Sequence, residues 1–303
     1  MIWNPSAGQT AGGAEVRAQL EQRPGCRVLE TQSRDEAVRV IRQGVESGCR
    51  RVVAAGGDGS VNLVVETLAE LKSPDVSMAV LPMGTGNDLA RSLGMPLDVT
   101  RSIQPAFGPA DGYLDVFRCT SGSKSRVITN MCTSGNTGQY LKQLTPETKQ
   151  LWGPFSYLRG VLDVVADMRV FEVEVRLDDG PAETYEVLNL FLANGRMTGG
   201  GMTVADNARF DDGRLELVMI LDGTAGEIMS LTADYVFSDF LQNPLVINRS
   251  VRTVSVRATG PYPITVYGDV FTEEPFTVTP DDFRIPVVAP ALRPGFGEDA
   301  NGI

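Results

Sequence analysis

The first third of the chain alternates short apolar segments with amphipathic segments, and this alternation most restricts the possible fold. Arg51–Ala55 and Met78–Leu81 are apolar runs of strand length that stop at glycine or proline. Between them the apolar residues recur at helical spacing, namely Val61, Val64, Val65, Leu68 and Leu71. Short strands that alternate with helices predict a mostly parallel sheet covered by helices. The first part is therefore expected to be an α/β domain.

The pattern changes near residue 118, after which apolar and polar residues mostly alternate with period 2. Val173 and Val175 would face one side of a sheet, and Glu172 and Glu174 the other. This alternation predicts an antiparallel sheet or sandwich. Helices are expected there only near Phe155–Asp167 and Ala225–Phe240.

These two patterns predict two domains. The α/β domain is expected over residues 1–118 and the β-rich domain over residues 119–287. The last segment, residues 288–303, is expected to pack back on the first domain.

Composition and charge exclude several classes of function. The 303 residues are 42% hydrophobic and 21% charged, with a formal net charge of −11. An acidic chain is unsuited to nucleic acid, because binding to phosphate backbones needs a basic face. No apolar run reaches the roughly 18–20 residues of a spanning helix, and no signal-peptide pattern opens the chain. A cytoplasmic location is expected.

The absence of histidine narrows the chemistry further. Ser-His-Asp triads and histidine zinc sites are impossible in a chain with no histidine. The four cysteines are scattered and form no C-x-x-C pair, which favours small buried thiols over disulfides or metal ligands. They are Cys26, Cys49, Cys119 and Cys132.

Two glycine-rich loops follow consecutive predicted strands. One reads Gly56-Gly57-Asp58-Gly59-Ser60, and the other reads Pro82-Met83-Gly84-Thr85-Gly86-Asn87-Asp88. Glycine lets backbone N–H groups approach a ligand closely, and a helix N-terminus favours an anion such as phosphate. Because the carboxyl ends of parallel strands meet at one edge of the sheet, both loops should converge on one ligand.

Asp58 stands among these amides, where its charge would repel a bare phosphate. Its presence favours a Mg²⁺ ion between the carboxylate and the phosphate. Alternatively, Asp58 only caps the following helix, and Asn87 could cap the helix after the second loop. A third turn, Asn4–Gly8, follows the first strand and could reach the same edge. Neither the P-loop nor the dinucleotide fingerprint occurs.

The three N-terminal motifs together resemble the diacylglycerol kinase catalytic domain, in a superfamily with the sphingosine, ceramide and bacterial lipid kinases. They are N-P-x-A-G at Asn4–Gly8, G-G-D-G-S at Gly56–Ser60 and P-x-G-T-G-N-D at Pro82–Asp88. Gly199–Met202 and Asp211–Gly213 resemble the G-G-G-M and D-D-G segments of the bacterial members. The resemblance covers nearly the whole chain.

The resemblance implies an α/β nucleotide-binding domain, a β-rich domain for the lipid, and ATP with Mg²⁺. The residues it implies at the nucleotide are Asn4, Thr31, Gly56, Gly57, Asp58, Gly59, Ser60, Asn62, Gly84, Thr85, Gly86, Asn87 and Asp88. Among these, Asp58 would organise Mg²⁺ and the phosphates.

Two further sites are implied by the bacterial members. A structural Mg²⁺ would be held by the carboxylate of Asp212 with the backbone carbonyls of Arg209 and Arg214, although D-D-G is also an ordinary turn sequence. The catalytic base would be Asp269, in a turn where Tyr267 replaces the usual aspartate. Leu63 also departs from the pattern, since the family usually has glutamate there.

The resemblance implies an ATP-dependent lipid kinase that transfers the γ-phosphoryl group to a hydroxyl of a diacylglycerol-like or sphingoid lipid. Such an enzyme would serve phospholipid metabolism as a peripheral protein at the membrane surface. A homodimer formed through the β-rich domain is compatible with the sequence. One alternative is a nucleotide or lipid sensor with impaired catalysis, which Leu63 and Tyr267 motivate. The other alternative is an NAD kinase, which shares the G-G-D-G loop.

Overall fold

The protein consists of two compact units. The structure, a computed structural model, describes residues 1–4, 13–136, 168–237, 239–266, 269–272 and 275–293. The first unit comprises Met1–Phe117, Gly195–Gly213 and Asp281–Ile303, and the second comprises Arg118–Asn194 and Arg214–Pro280. Residues 195–213, which the sequence assigned to the β-rich domain, thus group with the first unit.

The helices and strands follow one another in three groups along the chain. The first group is β1 (Ile2–Trp3), α1 (Gly13–Glu21), β2 (Leu29–Glu30), α2 (Arg34–Glu46), β3 (Arg51–Gly56), α3 (Asp58–Leu71), β4 (Ser77–Pro82), α4 (Asp88–Ser92) and α5 (Val99–Ala106). The second group is β5 (Gly112–Ser121), β6 (Lys124–Ile128), β7 (Met131–Gly135), β8 (Phe171–Leu177), β9 (Ala182–Ala193), β10 (Met197–Thr198) and β11 (Met202–Thr203). The third group is β12 (Leu215–Leu221), α6 (Ala225–Phe237), β13 (Val246–Val251), β14 (Val254–Ala258), β15 (Ile264–Val266), β16 (Asp269–Thr272) and β17 (Phe276–Val287), with 3₁₀ turns at Phe240–Gln242 and Pro290–Leu292.

The first unit is built on a parallel sheet with the strand order β2-β1-β3-β4. Ile2 lies opposite Ala54, and Val52 opposite Met78. Every residue from Val52 to Ala55 and from Met78 to Leu81 is buried, because helices cover both faces of such a sheet. This confirms the α/β prediction for the first part of the chain.

Two segments from later in the chain, Gly195–Gly213 and Asp281–Ile303, complete the first unit. Val287 at the end of β17 pairs in parallel with Met78 of β4, and the N–H of Val288 donates to the carbonyl of Met78 at 2.9 Å. The N–H of Ala291 donates to the carbonyl of Leu93 at 3.0 Å. The C-terminal segment thereby forms hydrogen bonds along the edge of β4 that does not pair with β3.

The second unit is an antiparallel β structure centred on the long strand β9. The first half of β9 pairs with β8, and its second half pairs with both β7 and β12. In β8 the residues Val173 and Val175 are buried while Glu172, Glu174 and Arg176 are exposed. The period-2 prediction is confirmed. α6 packs against this sheet through an apolar cluster of Leu188, Ile228, Leu231 and Leu245.

The helix predictions for the later part of the chain are only partly correct. The helix expected over Ala225–Phe240 ends at Phe237, and Phe240 starts a 3₁₀ turn whose N-cap, Asp239, accepts a hydrogen bond from the N–H of Leu241. The helix α5 was not expected, although its N-cap Asp98 accepts from the N–H of Arg101 at 2.8 Å. The helix predicted at Phe155–Asp167 lies outside the described residues.

No helix in the described part of the chain is long and apolar enough to cross a bilayer. All four cysteines are free thiols, and Cys119 and Cys132 are buried in the second unit. Burial raises the pKa of the Cys132 thiol, with a smaller contribution from the neighbouring Cys119.

The parallel sheet makes a stability prediction. Leu81 on β4 is 0% exposed, whereas Leu97 is 40% exposed. Leu81→Ala should lower the free energy of unfolding by about 2–5 kcal/mol, because it leaves a cavity in a closely packed core. Leu97→Ala is the matched control and should change it by less than about 0.5 kcal/mol. Denaturant unfolding measures both, and equal effects would contradict the packing described.

Candidate functional site

The carboxyl ends of the four parallel strands lie side by side and carry the predicted site residues. Backbone hydrogen bonds between neighbouring segments continue beyond the ends of the strands. The N–H of Asn4 donates to the carbonyl of Ala55, and the N–H of Thr31 donates to that of Trp3. The N–H of Met83 donates to the carbonyl of Gly56 at 3.0 Å. The structure therefore holds Thr31, Asn4 and the two glycine loops along one edge of the first unit.

The two glycine loops touch through their backbones. A Cβ atom on Gly84 would stand 2.5 Å from the Cα of Gly57, and one on Gly57 would stand 3.2 Å from the Cα of Gly84. No side chain fits at a separation of 2.5 Å, so Gly84 is required by the close approach of the two loops. In the first loop, the side-chain amide of Asn4 also donates to the hydroxyl of Ser60 at 3.2 Å.

Asp58 ties the first loop to the second. One oxygen of its carboxylate accepts a hydrogen bond from the N–H of Asn87, and the other accepts from the N–H of Asp88, each at 2.8 Å. These are the first amides of α4, whose N-cap residue Asn87 makes no side-chain cap hydrogen bond. Asp58 therefore caps α4 across the gap between the loops. Its own helix, α3, begins after Gly57 without a side-chain cap.

Asn87 fixes the shape of the second loop. Its backbone is left-handed, with φ of 55° and ψ of 39°, a conformation that asparagine tolerates better than most residues. Its side chain accepts from the N–H of Gly84 at 2.9 Å and donates to the carbonyl of the same residue at 2.7 Å. The asparagine thus closes the loop on itself.

Asp88 connects the second loop to the triple-glycine segment. Its Oδ1 accepts hydrogen bonds from the N–H groups of Gly200 and Gly201, at 2.9 and 3.0 Å. Both glycines have positive φ, 89° and 105°, where other residues would be strained. Nearby, the guanidinium of Arg91 donates to the carbonyl of Gly86 at 3.0 Å.

The paired carboxylates affect the ionisation of Asp88. Burial raises its pKa above the ordinary value, and the negative charge of Asp58 raises it further. The hydrogen bonds from Gly200 and Gly201 lower the pKa in opposition. The two carboxylates are thus held close together at an electrostatic cost.

The start of α3 suits an anion. The first amides of a helix have no intrahelical acceptor, and the N-cap of α3, Gly57, has no side chain to cap them. A Cβ atom on Gly59 would meet nothing within 4 Å among the described residues. The amides before Ser60, the helix dipole and the open space beside Gly59 fit a phosphate group.

The same edge also has the donor set that Mg²⁺ prefers. Mg²⁺ in phosphate-transfer sites is typically held by one or two carboxylates together with substrate phosphates and water. A Cβ atom on Gly86 would stand 2.5 Å from Oδ2 of Asp58 and 3.6 Å from Oδ2 of Asp88, so both oxygens lie beside Gly86. The described residues contain no group of three or more His, Cys, Asp or Glu that could hold a metal alone.

The turn at residues 209–213, where a structural metal was predicted, is held by an ion pair. Arg284 contacts the buried Asp115 at 2.6 Å and also donates to the carbonyl of Asp211. Asp115 in turn accepts from the N–H of Gly213. Arg209 and Asp212 belong to this first-unit turn, while Arg214 opens the second unit. The role of Arg209, Asp212 and Arg214 as magnesium ligands stays a prediction.

The structure describes the side chains of some of the remaining predicted site residues but not of others. Asn62 is buried in α3, Leu63 after it is 8% exposed, and Thr85 is exposed at the tip of its loop. Asp269 begins β16 of the second unit and pairs with Val266, but its side chain lies outside the described part. Tyr267 and Gly268 lie outside it as well, as do residues 5–8 of the first motif.

Comparison with known proteins identifies the family. The model named "Diacylglycerol kinase catalytic domain" matches residues 1–118. The model named "YegS C-terminal NAD kinase beta sandwich-like domain" matches residues 138–292, which is more than half of the chain. The chain belongs to the YegS-like lipid kinases of the diacylglycerol kinase family. This membership favours a lipid kinase over an NAD kinase.

Individual relatives agree with this assignment. A probable lipid kinase, YegS-like, from Pseudomonas aeruginosa (strain UCBPP-PA14) is 30% identical over 234 residues, which cover 73% of this chain and 74% of the relative. A diacylglycerol kinase from Staphylococcus carnosus is 24% identical over 275 residues, or 89% of this chain and 87% of the relative. The fold matches a crystal structure described as a putative diacylglycerol kinase from Bacillus anthracis, with a TM-score of 0.75, 20% identity and coverage of 94% and 93%.

Two glycines test the geometry of the loops. Gly84→Ala should lower the free energy of unfolding by about 1–3 kcal/mol, because the added methyl group overlaps the backbone at Gly57. Gly59→Ala is the matched control, since its methyl group would enter open space in α3, and it should raise stability by about 0.5–1 kcal/mol. Thermal or denaturant unfolding of the two variants measures both changes. An unchanged free energy of unfolding in Gly84→Ala would contradict the contact between the loops.

Asp88 makes a prediction about pH. Because its folded-state pKa is raised, its contribution to stability is present below the unfolded pKa and is lost as pH rises through the folded pKa. Asp88→Asn removes this titration, while the new amide oxygen can still accept from Gly200 and Gly201. We expect the variant to lose less stability than the parent protein as pH rises above about 4, the ordinary pKa of an aspartate. An unchanged slope of unfolding free energy against pH would contradict the assignment.

Proposed function

We propose that the protein transfers the γ-phosphoryl group of ATP to the hydroxyl of a membrane lipid, with Mg²⁺. The carboxylate of Asp58, which joins the two glycine loops at the edge of the parallel sheet, is the observation that carries this proposal. A kinase needs a phosphate-binding backbone held rigidly beside a carboxylate that can reach a metal ion. Membership of the lipid kinase family supports the lipid as the acceptor.

Different residues of the first unit would bind different parts of ATP. The free amides at the start of α3, around Gly57 and Gly59, would hold a phosphate group of the nucleotide. Asn4 orients the Ser60 hydroxyl beside them. Thr31 and Thr85 would contact the rest of the nucleotide from the same edge. Where the two loops meet, the backbone-to-backbone contact of Gly57 with Gly84 leaves no room for a side chain.

Asp58 and Asp88 would hold Mg²⁺ through the oxygens beside Gly86. Bound there, the ion would neutralise charge on the phosphate oxygens as the phosphoryl group is transferred. Before it binds, the hydrogen bonds from the amides of α4 and from Gly200 and Gly201 keep both carboxylates in place. The proposed second Mg²⁺, at Asp212 with the carbonyls of Arg209 and Arg214, would have a structural role.

Asp269 is proposed as the group that accepts the proton of the lipid hydroxyl. A carboxylate is suited to this role because the alcohol must lose its proton as it attacks phosphorus. The acceptor is proposed to be a neutral diacylglycerol-like or sphingoid lipid, whose apolar chains stay in the bilayer. The protein would therefore work as a peripheral protein at a membrane surface.

A sensor with impaired catalysis is the second candidate function. Its support is Leu63, which is buried where the family usually has glutamate, and which gives this part of α3 no carboxylate. Such a protein would bind nucleotide at the same loops without turnover. The experiment that tests the kinase also separates it from the sensor.

The test is transfer of labelled γ-phosphate from ATP-Mg²⁺ to lipids in mixed micelles. The panel is diacylglycerol, sphingosine, ceramide, phosphatidylglycerol and a lipid-free sample. We expect label in one lipid, with losses of at least about 100-fold in Asp269→Asn, the size typical of a removed general base. Asp58→Asn should also lose activity, with weaker ATP binding, since it removes the charge that would hold the metal.

The control for these variants is Asp179→Asn, an exposed aspartate in the turn after β8. It makes the same chemical change at an exposed turn of the second unit and should keep full activity. No label in any lipid, alongside measurable ATP binding, would refute the kinase and favour the sensor.

A further inference from the structure

A short hairpin from late in the first unit packs on the second glycine loop. Its strands β10 and β11 pair antiparallel, and the three glycines at residues 199–201 form the tip between them. A Cβ atom on Gly200 would lie 3.7 Å from the Cα of Gly86 and 4.0 Å from the carbonyl oxygen of Thr85. The hairpin tip therefore contacts the loop beside which the two proposed metal-binding oxygens lie.

Two side chains of α4 hold this tip. Asp88, at the start of the helix, accepts hydrogen bonds from the N–H groups of Gly200 and Gly201 through Oδ1. Arg91, three residues later, donates from Nε to the carbonyl of Gly86 at 3.0 Å. Residues at i and i+3 share one face of a helix, so the carboxylate and the guanidinium lie on the same side of α4.

The guanidinium of Arg91 also contacts the hairpin tip. A Cβ atom on Gly201 would lie 3.3 Å from both Cζ and Nη1 of Arg91 and 3.5 Å from Nε. Since three atoms of one planar group are nearly equidistant from that point, the guanidinium lies against the Cα of Gly201. It contacts the tip and the second loop at once, and therefore links the two.

Arg91 brings a positive charge to a place where two negative charges meet. Asp88 is repelled by the carboxylate of Asp58 and attracted by the guanidinium of Arg91. A carboxylate between these groups has two sets of contacts. Its Oδ1 is held by the tip amides, and its Oδ2 lies beside Gly86 next to Oδ2 of Asp58.

We propose that Arg91 is a positioning residue that holds Asp88 ready for Mg²⁺. By fixing the tip to the second loop, Arg91 keeps the two tip amides on Oδ1 and leaves Oδ2 directed to the place where the metal would bind. The inference rests on the proposed function, which assigns Mg²⁺ to Asp58 and Asp88. Removing a group that orients a metal ligand typically lowers metal affinity or activity by about 10- to 100-fold.

The test compares the binding of labelled ATP in Mg²⁺ and in EDTA, by equilibrium dialysis against the full chain. The ratio of the two dissociation constants measures how much the metal strengthens ATP binding. Arg91→Met should reduce this ratio by about 10-fold or more, while ATP affinity in EDTA changes much less. Arg101→Met is the matched control, since it makes the same change at an exposed arginine of α5 and should keep the ratio of the parent protein.

Gly201→Ala disturbs the same contact from the other side. Its methyl group would press on the guanidinium, at a φ of 105° that strains alanine, so the ratio should again fall. The double variant Arg91→Met/Gly201→Ala should lose no more than the larger single change, because both remove one arrangement. Gly25→Ala is the control for backbone strain, since its φ is 75° and its methyl group would meet nothing within 4 Å among the described residues.

Each outcome decides the proposal. A ratio like that of the parent in Arg91→Met would overturn it, and so would equal losses in Mg²⁺ and EDTA, which indicate only a structural role. Additive losses in the double variant would overturn the shared contact as the cause. If ATP binding to the parent protein ignores Mg²⁺, the proposal also fails, because Asp88 then holds no metal. Should Arg91→Met not fold, Arg91→Lys, which lacks the planar group, carries the same expectation.

Transfer of labelled phosphate to lipids separates this proposal from the proposed function. If no lipid is labelled but the ratio depends on Arg91, the kinase proposal fails and the positioning role stands. If a lipid is labelled and Arg91→Met keeps the ratio of the parent protein, the positioning role fails alone.

Discussion

The arrangement of the candidate site depends on the pair of hydrogen bonds that Asp58 accepts from the backbone of Asn87 and Asp88. One side chain on α3 thereby sets the position of the loop before α4, and through Asp88 the position of the triple-glycine segment. Hydrogen bonds to a charged acceptor contribute about 1.5–3 kcal/mol each, more than neutral ones. The loops are therefore held by the strongest contacts available between a side chain and a backbone.

This arrangement has an electrostatic cost that a ligand can relieve. Asp58 and Asp88 are both acidic, and the second is buried and raised in pKa partly by the first. The repulsion between two carboxylates so placed opposes the stabilisation from their hydrogen bonds. Strained or costly arrangements of this kind persist where they serve a site. A cation between the carboxylates and a phosphate would remove the repulsion, which is the physical link between the loop geometry and phosphoryl transfer.

The sequence predicted much of the fold because its signals are local. The runs at Arg51–Ala55 and Met78–Leu81 are strands β3 and β4. Short apolar runs that stop at glycine or proline are typical of buried strands in globular proteins. The alternation at β8 likewise gave the antiparallel second unit. The helix α5 was missed because it has only eight residues, and one of them is Pro105. Its N-cap at Asp98 was the available signal.

The contacts within the site could not be predicted in the same way. Asp58 meets Asn87 across 29 positions, and Asp88 meets Gly200 across 112. Spacing gives no information about such pairs, because they depend on how strands and loops are arranged in space. The motifs predicted which residues gather at the sheet edge, but they did not predict that Asp58 would cap α4 and leave α3 uncapped. Nor did they indicate that residues 195–213 group with the first unit.

The discontinuous make-up of the first unit affects the order in which the chain can fold during synthesis. Residues 1–117 leave the ribosome long before Gly200, Gly201 and Val287 have been made. Until then, the amides that satisfy Asp88 do not exist, and β4 presents an unpaired edge to other chains. The second unit is synthesised between these segments of the first. The first unit therefore stays incomplete during most of translation. In this interval a chaperone could bind the exposed edge of β4, or a strand of another chain could pair with it wrongly.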